Sequence, residues 1–75
     1  MLKDKIVIDY YITREGKKIV VYEHGSAPVR MGDFDNRYEF YNLLAARNFI
    51  KKSVDVTVEK FGKNVLIRRT EDPNL

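Results

Sequence analysis

The chain has no cysteine. That one absence removes two stabilising devices, because no disulfide can staple the fold and no thiolate can hold a metal ion. It has a single histidine, His24, so a histidine-rich metal centre is excluded as well. No uncharged apolar run approaches the roughly 18 residues that a membrane-spanning helix needs. The first apolar stretch, Ile6-Val7-Ile8, is cut by Asp9. No small-residue cleavage site follows a long apolar region, as a secretory leader would require. A small domain without disulfides fits a reducing compartment, and the cytoplasm is the expected location.

What is present is enough for one domain. Seventy-five residues cannot build two cores. A single core of this size supplies only about 3–5 kcal/mol of net stability. With disulfides and metal sites gone, that stability has to come from close packing or from a second subunit. The formal charge is +3 and a third of the residues are charged, with both signs mixed along the chain. This balance permits nucleic-acid binding without demanding it.

Periodicity organises the chain into a small α+β domain. Ile6, Ile8, Tyr10 and Ile12 alternate with Val7, Asp9, Tyr11 and Thr13, the period-two signature of a strand. Ile19-Val20-Val21-Tyr22 is β-branched and aromatic and reads as its partner. Gly16 supplies the positive φ of a tight turn. A Glu15-Gly16 loop sets Ile12 against Ile19 and Tyr10 against Val21. One face then carries Ile6, Ile8, Tyr10, Ile12, Ile19 and Val21 as core. The other carries Val7, Asp9, Tyr11, Val20 and Tyr22, more apolar than a solvated face needs.

Gly25, Ser26, Pro28 and Gly32 break both periods, so 25–34 is expected as a loop. A helix is expected over 36–52, capped by Asp35 or Asn36, with Glu39 completing a capping box and Lys51 and Lys52 at its end. Val54, Val56 and Val58 alternate with polar residues, and Val65-Leu66-Ile67 follows Gly62, which predicts a second hairpin. The expected architecture is ββαββ, an antiparallel sheet of two hairpins with one helix across one face. Residues 1–70 form the expected domain and 71–75 a disordered tail.

Chemistry-bearing patterns fail one after another. His24 beside Ser26 has no nucleophile elbow and no oxyanion hole by motif. Asp33-Phe34-Asp35-Asn36 breaks the calcium-loop pattern at Arg37 and Tyr38, and helix capping accounts for its acids. Asp9 and Glu23 fall on opposite faces of the hairpin, so they do not form a glycosidase-type pair. Gly25, Gly32 and Gly62 match no phosphate loop. No catalytic residue, cofactor or metal site is expected.

The surfaces carry more. On the expected helix, Tyr38, Tyr41, Ala45 and Phe49 lie on one side, Leu43, Ala46 and Ile50 on another, and Phe40 and Leu44 on a third. A helix packed on one sheet should show one stripe. Cover from the loop, through Val29, Met31 and Phe34, is one explanation, and a second subunit or protein partner is the other. Phe40, Tyr41, Leu44 and Phe49 are therefore the protein-interface candidates. The expected role is a small non-enzymatic regulator, inhibitor or assembly factor, of the kind carried by phages and mobile elements. It binds a protein partner or itself through a helix face or a sheet edge. The alternative is a basic DNA- or RNA-binding module that uses Arg14, Lys17, Lys18, Lys51, Lys52, Arg68 and Arg69 for phosphates and Tyr11 and Tyr22 for stacking.

Overall fold

A computed structural model describes residues 5–27 and 32–75. Strands β1 (Ile6–Glu15), β2 (Lys18–Ala27) and β3 (Gly32–Phe40) come first. Helix α1 (Leu43–Phe61), one 3-10 turn (Gly62–Asn64) and strand β4 (Val65–Glu71) follow. The chain is thus α+β, but with three strands before the helix and one after it. The sheet order is β3-β2-β1-β4, with β1 and β4 parallel and the other neighbours antiparallel. The expected all-antiparallel sheet of two hairpins is corrected to a mixed sheet.

The first hairpin forms as its alternation requires. Its turn is Gly16–Lys17, with φ of 64° at Gly16, the sign that the first position of a two-residue II′ loop needs. Ile12 therefore pairs with Val21 and Tyr10 with Glu23, two residues away from the expected register. An even shift leaves every side chain on its own face. Ile8, Tyr10, Ile12, Ile19 and Val21 are accordingly buried on the helix side.

Three segments differ from the reading of the sequence. Of the loop expected over 25–34, residues 25–27 belong to β2 and 32–34 to β3. Residues 36–40 extend β3 rather than open the helix. Phe34, Tyr38 and Phe40 pack towards the core, while Asp33, Asp35, Arg37 and Glu39 alternate with them on the outer face. The helix instead runs through Val54, Val56 and Val58. The stripe Leu43, Ala46, Ile50 and Val54, at spacings of three and four, meets the sheet and outweighs the β preference of three valines. Asn42 caps the start, its side chain accepting from the Ala45 amide at 2.7 Å. Gly62, expected as a hairpin turn, closes the helix with φ of 60° and donates its N–H to the Val58 carbonyl.

Register fixes the path of the crossover. β3 ends beside Ile19 at the β1–β2 turn, and β4 begins beside Ile6 at the far end. The helix thus returns along the sheet from the β3 edge to the β4 edge, covering one face only. Of the loop expected to cover it, Val29 and Met31 lie outside the described residues, and Phe34 belongs to β3. Residues 71–75 make defined contacts. The Asp72 amide donates to the Ile12 carbonyl at 2.8 Å, Thr13 Oγ1 donates to Asp72 Oδ2 at 2.8 Å, and Leu75 packs on the core. Among the described residues no helix is long and apolar enough to cross a membrane.

Candidate interaction surface

The helix-free face of the sheet is organised in rows across the strands. One row sets Arg68, Asp9, His24 and Asp35 side by side; the next sets Thr70, Tyr11, Tyr22 and Arg37. Tyr11 and Tyr22 are direct cross-strand partners at the middle of this face, 40% and 37% exposed. Val20, on the same face, is fully buried.

Cross-strand ion pairs cover the rest. Arg68 grips Asp9 with two hydrogen bonds of 2.6 and 3.0 Å. Lys18 and Arg37 both donate to Glu39, at 3.0 and 2.6 Å. Arg37 also donates to Glu15 at 2.6 Å, and Glu15 accepts from the Tyr22 hydroxyl. These bonds hold the carboxyls of Asp9, Glu15 and Glu39 below the usual carboxylate range. His24 Nδ1 lies 2.6 Å from Asp35 Oδ1, and the hydrogen bond to that carboxylate raises the imidazole pKa. Every one of these groups is solvent-accessible, so each pair adds little to stability.

The nucleic-acid candidates do not converge. Arg14, Lys17 and Lys18 surround the β1–β2 turn, with Arg14 directed to the helix side and Lys18 to the outer side. Lys51 and Lys52 lie on α1, across the sheet from the tyrosine pair. Arg68 is on the outer face, held by Asp9, and Arg69 is on the helix side. Tyr11 and Tyr22 do come together. Around them, however, Asp9, Glu15, Asp33, Asp35 and Glu39 face Lys18, Arg37 and Arg68, an excess of negative charge where a phosphate backbone would run.

The protein-interface candidates divide in two. Phe40 and Phe49 turn inward. Phe49 lies 4.5 Å from Tyr38 and 5.3 Å from Phe40 between ring centroids, forming an aromatic cluster under the start of α1. Tyr41 and Leu44 turn outward, 88% and 67% exposed. They flank the Asn42 cap at the corner where β3 passes into the helix, beside a shallow pocket lined by Lys18, Glu39, Phe40 and Tyr41. Val56 and Val58 add apolar surface farther along the helix.

One polar group was not legible as a site residue from the sequence. Glu23 sits on the helix-covered face, in the row of Tyr10 and Asn36. Its Oε1 accepts from Asn36 Nδ2 at 2.9 Å and from the Tyr38 hydroxyl at 3.1 Å. Its signal was there in retrospect, as a carboxylate at the alternation position of Ile19 and Val21. In comparison with known proteins, no family model matches this chain, and no curated protein or solved structure is found to be similar.

Proposed function

We propose that this protein is a non-enzymatic interaction module that docks a protein partner, or a second copy of itself, through the corner built by Tyr41 and Leu44. The observation that carries this reading is the exposure of two large side chains three residues apart, 88% and 67%, on either side of the helix cap. A tyrosine and a leucine held out by a capped helix start lose little freedom on docking, and aromatic anchors dominate interface energetics. The phenol brings a polar tip that stays satisfied in water until a partner arrives. Such a module suits a small regulator, inhibitor or assembly factor.

Leu44→Asp tests the reading, because the residue is exposed and its replacement leaves the core intact. Light scattering over a concentration series reports self-association, and a pull-down from lysate reports another partner. A folded variant that loses its dimer or its captured partner supports the corner as the docking site. A folded variant that keeps them removes it.

The cross-strand tyrosine pair is the one observation in favour of the nucleic-acid alternative. Contact with about four phosphates of duplex DNA would give log affinity against log salt a slope near −3.6. The acidic residues around the pair argue against it, and binding that is nearly flat in salt would discard it.

A further inference from the structure

The sheet ends in β3 on one side and in β4 on the other. A terminal strand offers a row of unpaired backbone N–H and C=O groups to any chain that lines up with it. Natural sheets blunt such edges with proline, lysine, bulges or shortness. β3 has none of these. It runs nine residues, Gly32–Phe40, without a proline or a lysine. Its pairing with β2 is one to one from Ala27–Gly32 to Ile19–Phe40, so no bulge turns the edge away.

The first hairpin decides which backbone groups of β3 face out. In a two-residue hairpin the residues flanking the loop, Glu15 and Lys18, form a hydrogen-bonded pair, and such pairs alternate along an antiparallel ladder. Even-numbered residues of β2 therefore bond to β1, and odd-numbered ones to β3. On β3 this commits Gly32, Phe34, Asn36, Tyr38 and Phe40 to β2. Asp33, Asp35, Arg37 and Glu39 point their N–H and C=O groups away from the sheet. The same four carry their side chains on the open face.

The chain that fits this edge is a second copy. A two-fold axis through Asn36, normal to the sheet, pairs β3 antiparallel with itself over its whole length. Asp35 then faces Arg37 of the second copy, twice over by symmetry, and opposite charges across strands attract. The side chain of Asp35 is 78% exposed, with His24 as its partner. Arg37 gives Nη1 to Glu39 and Nη2 to Glu15, while no bond from its Nε is formed among the described residues. Asp33 faces Glu39, a like-charge contact, but Glu39 already lies against Lys18 and Arg37. On the covered face Phe34 meets Tyr38 of the second copy, beside the Phe49 ring that Tyr38 already touches.

Other registers fit worse. Sliding the second copy by two residues sets Asp35 on Asp35 or Arg37 on Arg37 and leaves part of the edge unpaired. Full overlap of β4 with itself sets Arg68 on Arg68. We propose that two copies of this chain join edge to edge through β3, in the register centred on Asn36, as one continuous sheet with both helices on the same face. This is a closed, isologous contact. The Tyr41–Leu44 corner lies past the end of β3 and is left for a different protein, so neither proposal depends on the other.

Amide hydrogen exchange on the 15N-labelled full chain, from about 20 μM to about 1 mM, reads the edge directly. A small edge contact should have a Kd of about 10–100 μM, with light scattering showing the mass double over this range. The amides of Phe34, Asn36 and Tyr38 stay protected at every concentration. Those of Asp33, Asp35, Arg37 and Glu39 gain at least about tenfold protection as the dimer forms. Asp35→Pro deletes an N–H that β2 does not use, so the domain stays folded while the dimer is lost. Asp35→Arg and Arg37→Asp each weaken the dimer at least about tenfold, and the double variant restores it to within about threefold of the parent. Leu44→Asp keeps the dimer, and its capture of a partner from lysate judges the corner separately. A monomer at 1 mM, a dimer without the alternating protection, a dimer that survives Asp35→Pro, or a double variant no tighter than the singles would overturn the inference. A dimer lost in Leu44→Asp but kept in Asp35→Pro would give self-association to the corner instead.

Discussion

The two faces of the sheet are held in different ways. On the covered face, Ile8, Tyr10, Ile12, Ile19 and Val21 close against Ala46 and Ile50, with no charged side chain fully buried among them. On the open face, Lys18, Arg37 and Arg68 are laid across carboxylates of neighbouring strands, in contact with water. Burial of apolar area stabilises by about 25 cal/mol per Å2, whereas exposed ion pairs sit near zero. The covered face therefore carries the fold. The open face fixes which side chains stand beside which, and apart from the buried Val20 its exposed positions are free to change without unfolding the domain.

The sharpest way to break this contrast is a cavity on the covered face. Ile12→Ala, at a fully buried position, should cost about 2–5 kcal/mol. That matches the whole net stability of a core this size, so urea denaturation should find the variant largely unfolded. A mild loss would mean that something beyond this core holds the chain, with a second subunit the first candidate.

Gly25→Ala comes next. Gly25 pairs with Phe34, and a Cβ there would lie 2.0 Å from the ring. Overpacking of this kind costs about 1–3 kcal/mol. A variant as stable as the parent would show that the Phe34 ring leaves its place without penalty.

Asn42→Ala removes the side chain that accepts from the Ala45 amide and should cost about 1 kcal/mol. It also loosens the corner that presents Tyr41 and Leu44. Partner affinity should therefore fall further than stability alone explains, as a binding titration on folded protein would report.

The smallest effect belongs to the open face. Asp35 holds the His24 pKa above its ordinary value, so this contact stabilises fully below about pH 6.5 and is lost as pH rises through the raised value. An NMR titration of the imidazole should show the raised midpoint, and Asp35→Asn should bring it down. Because His24 and Asp35 are exposed, the denaturation midpoint should barely move in Asp35→Asn.

How far the sequence could be read divides along the chain. Ile6 to Tyr22 was legible because its alternation is strict and its partner strand is next in sequence; only the turn slipped by one residue, without consequence for the faces. Residues 36–40 were not, because Asp and Asn at 33–36 serve equally as helix caps and as the polar side of a strand. Nor were residues 54–58, where alternate valines fit a strand locally while Leu43, Ala46, Ile50 and Val54 set a helix on a longer period. Of the candidate surface residues, Tyr41 and Leu44 stand exposed together, whereas Phe40 and Phe49 were absorbed by Tyr38 into a cluster that no local pattern announces.

By itself, then, the sequence determined an α+β fold without disulfides, a first hairpin, and the identity of its covered and open faces. These are consequences of composition and of neighbours in sequence. Only the tertiary structure decided that β4 lies parallel beside β1, that β3 keeps a free edge, and that Tyr41 and Leu44 are left outside. Each of those depends on where a 19-residue helix lands after crossing from one sheet edge to the other. That landing is set by burial summed over contacts distant in sequence, which no window along the chain contains.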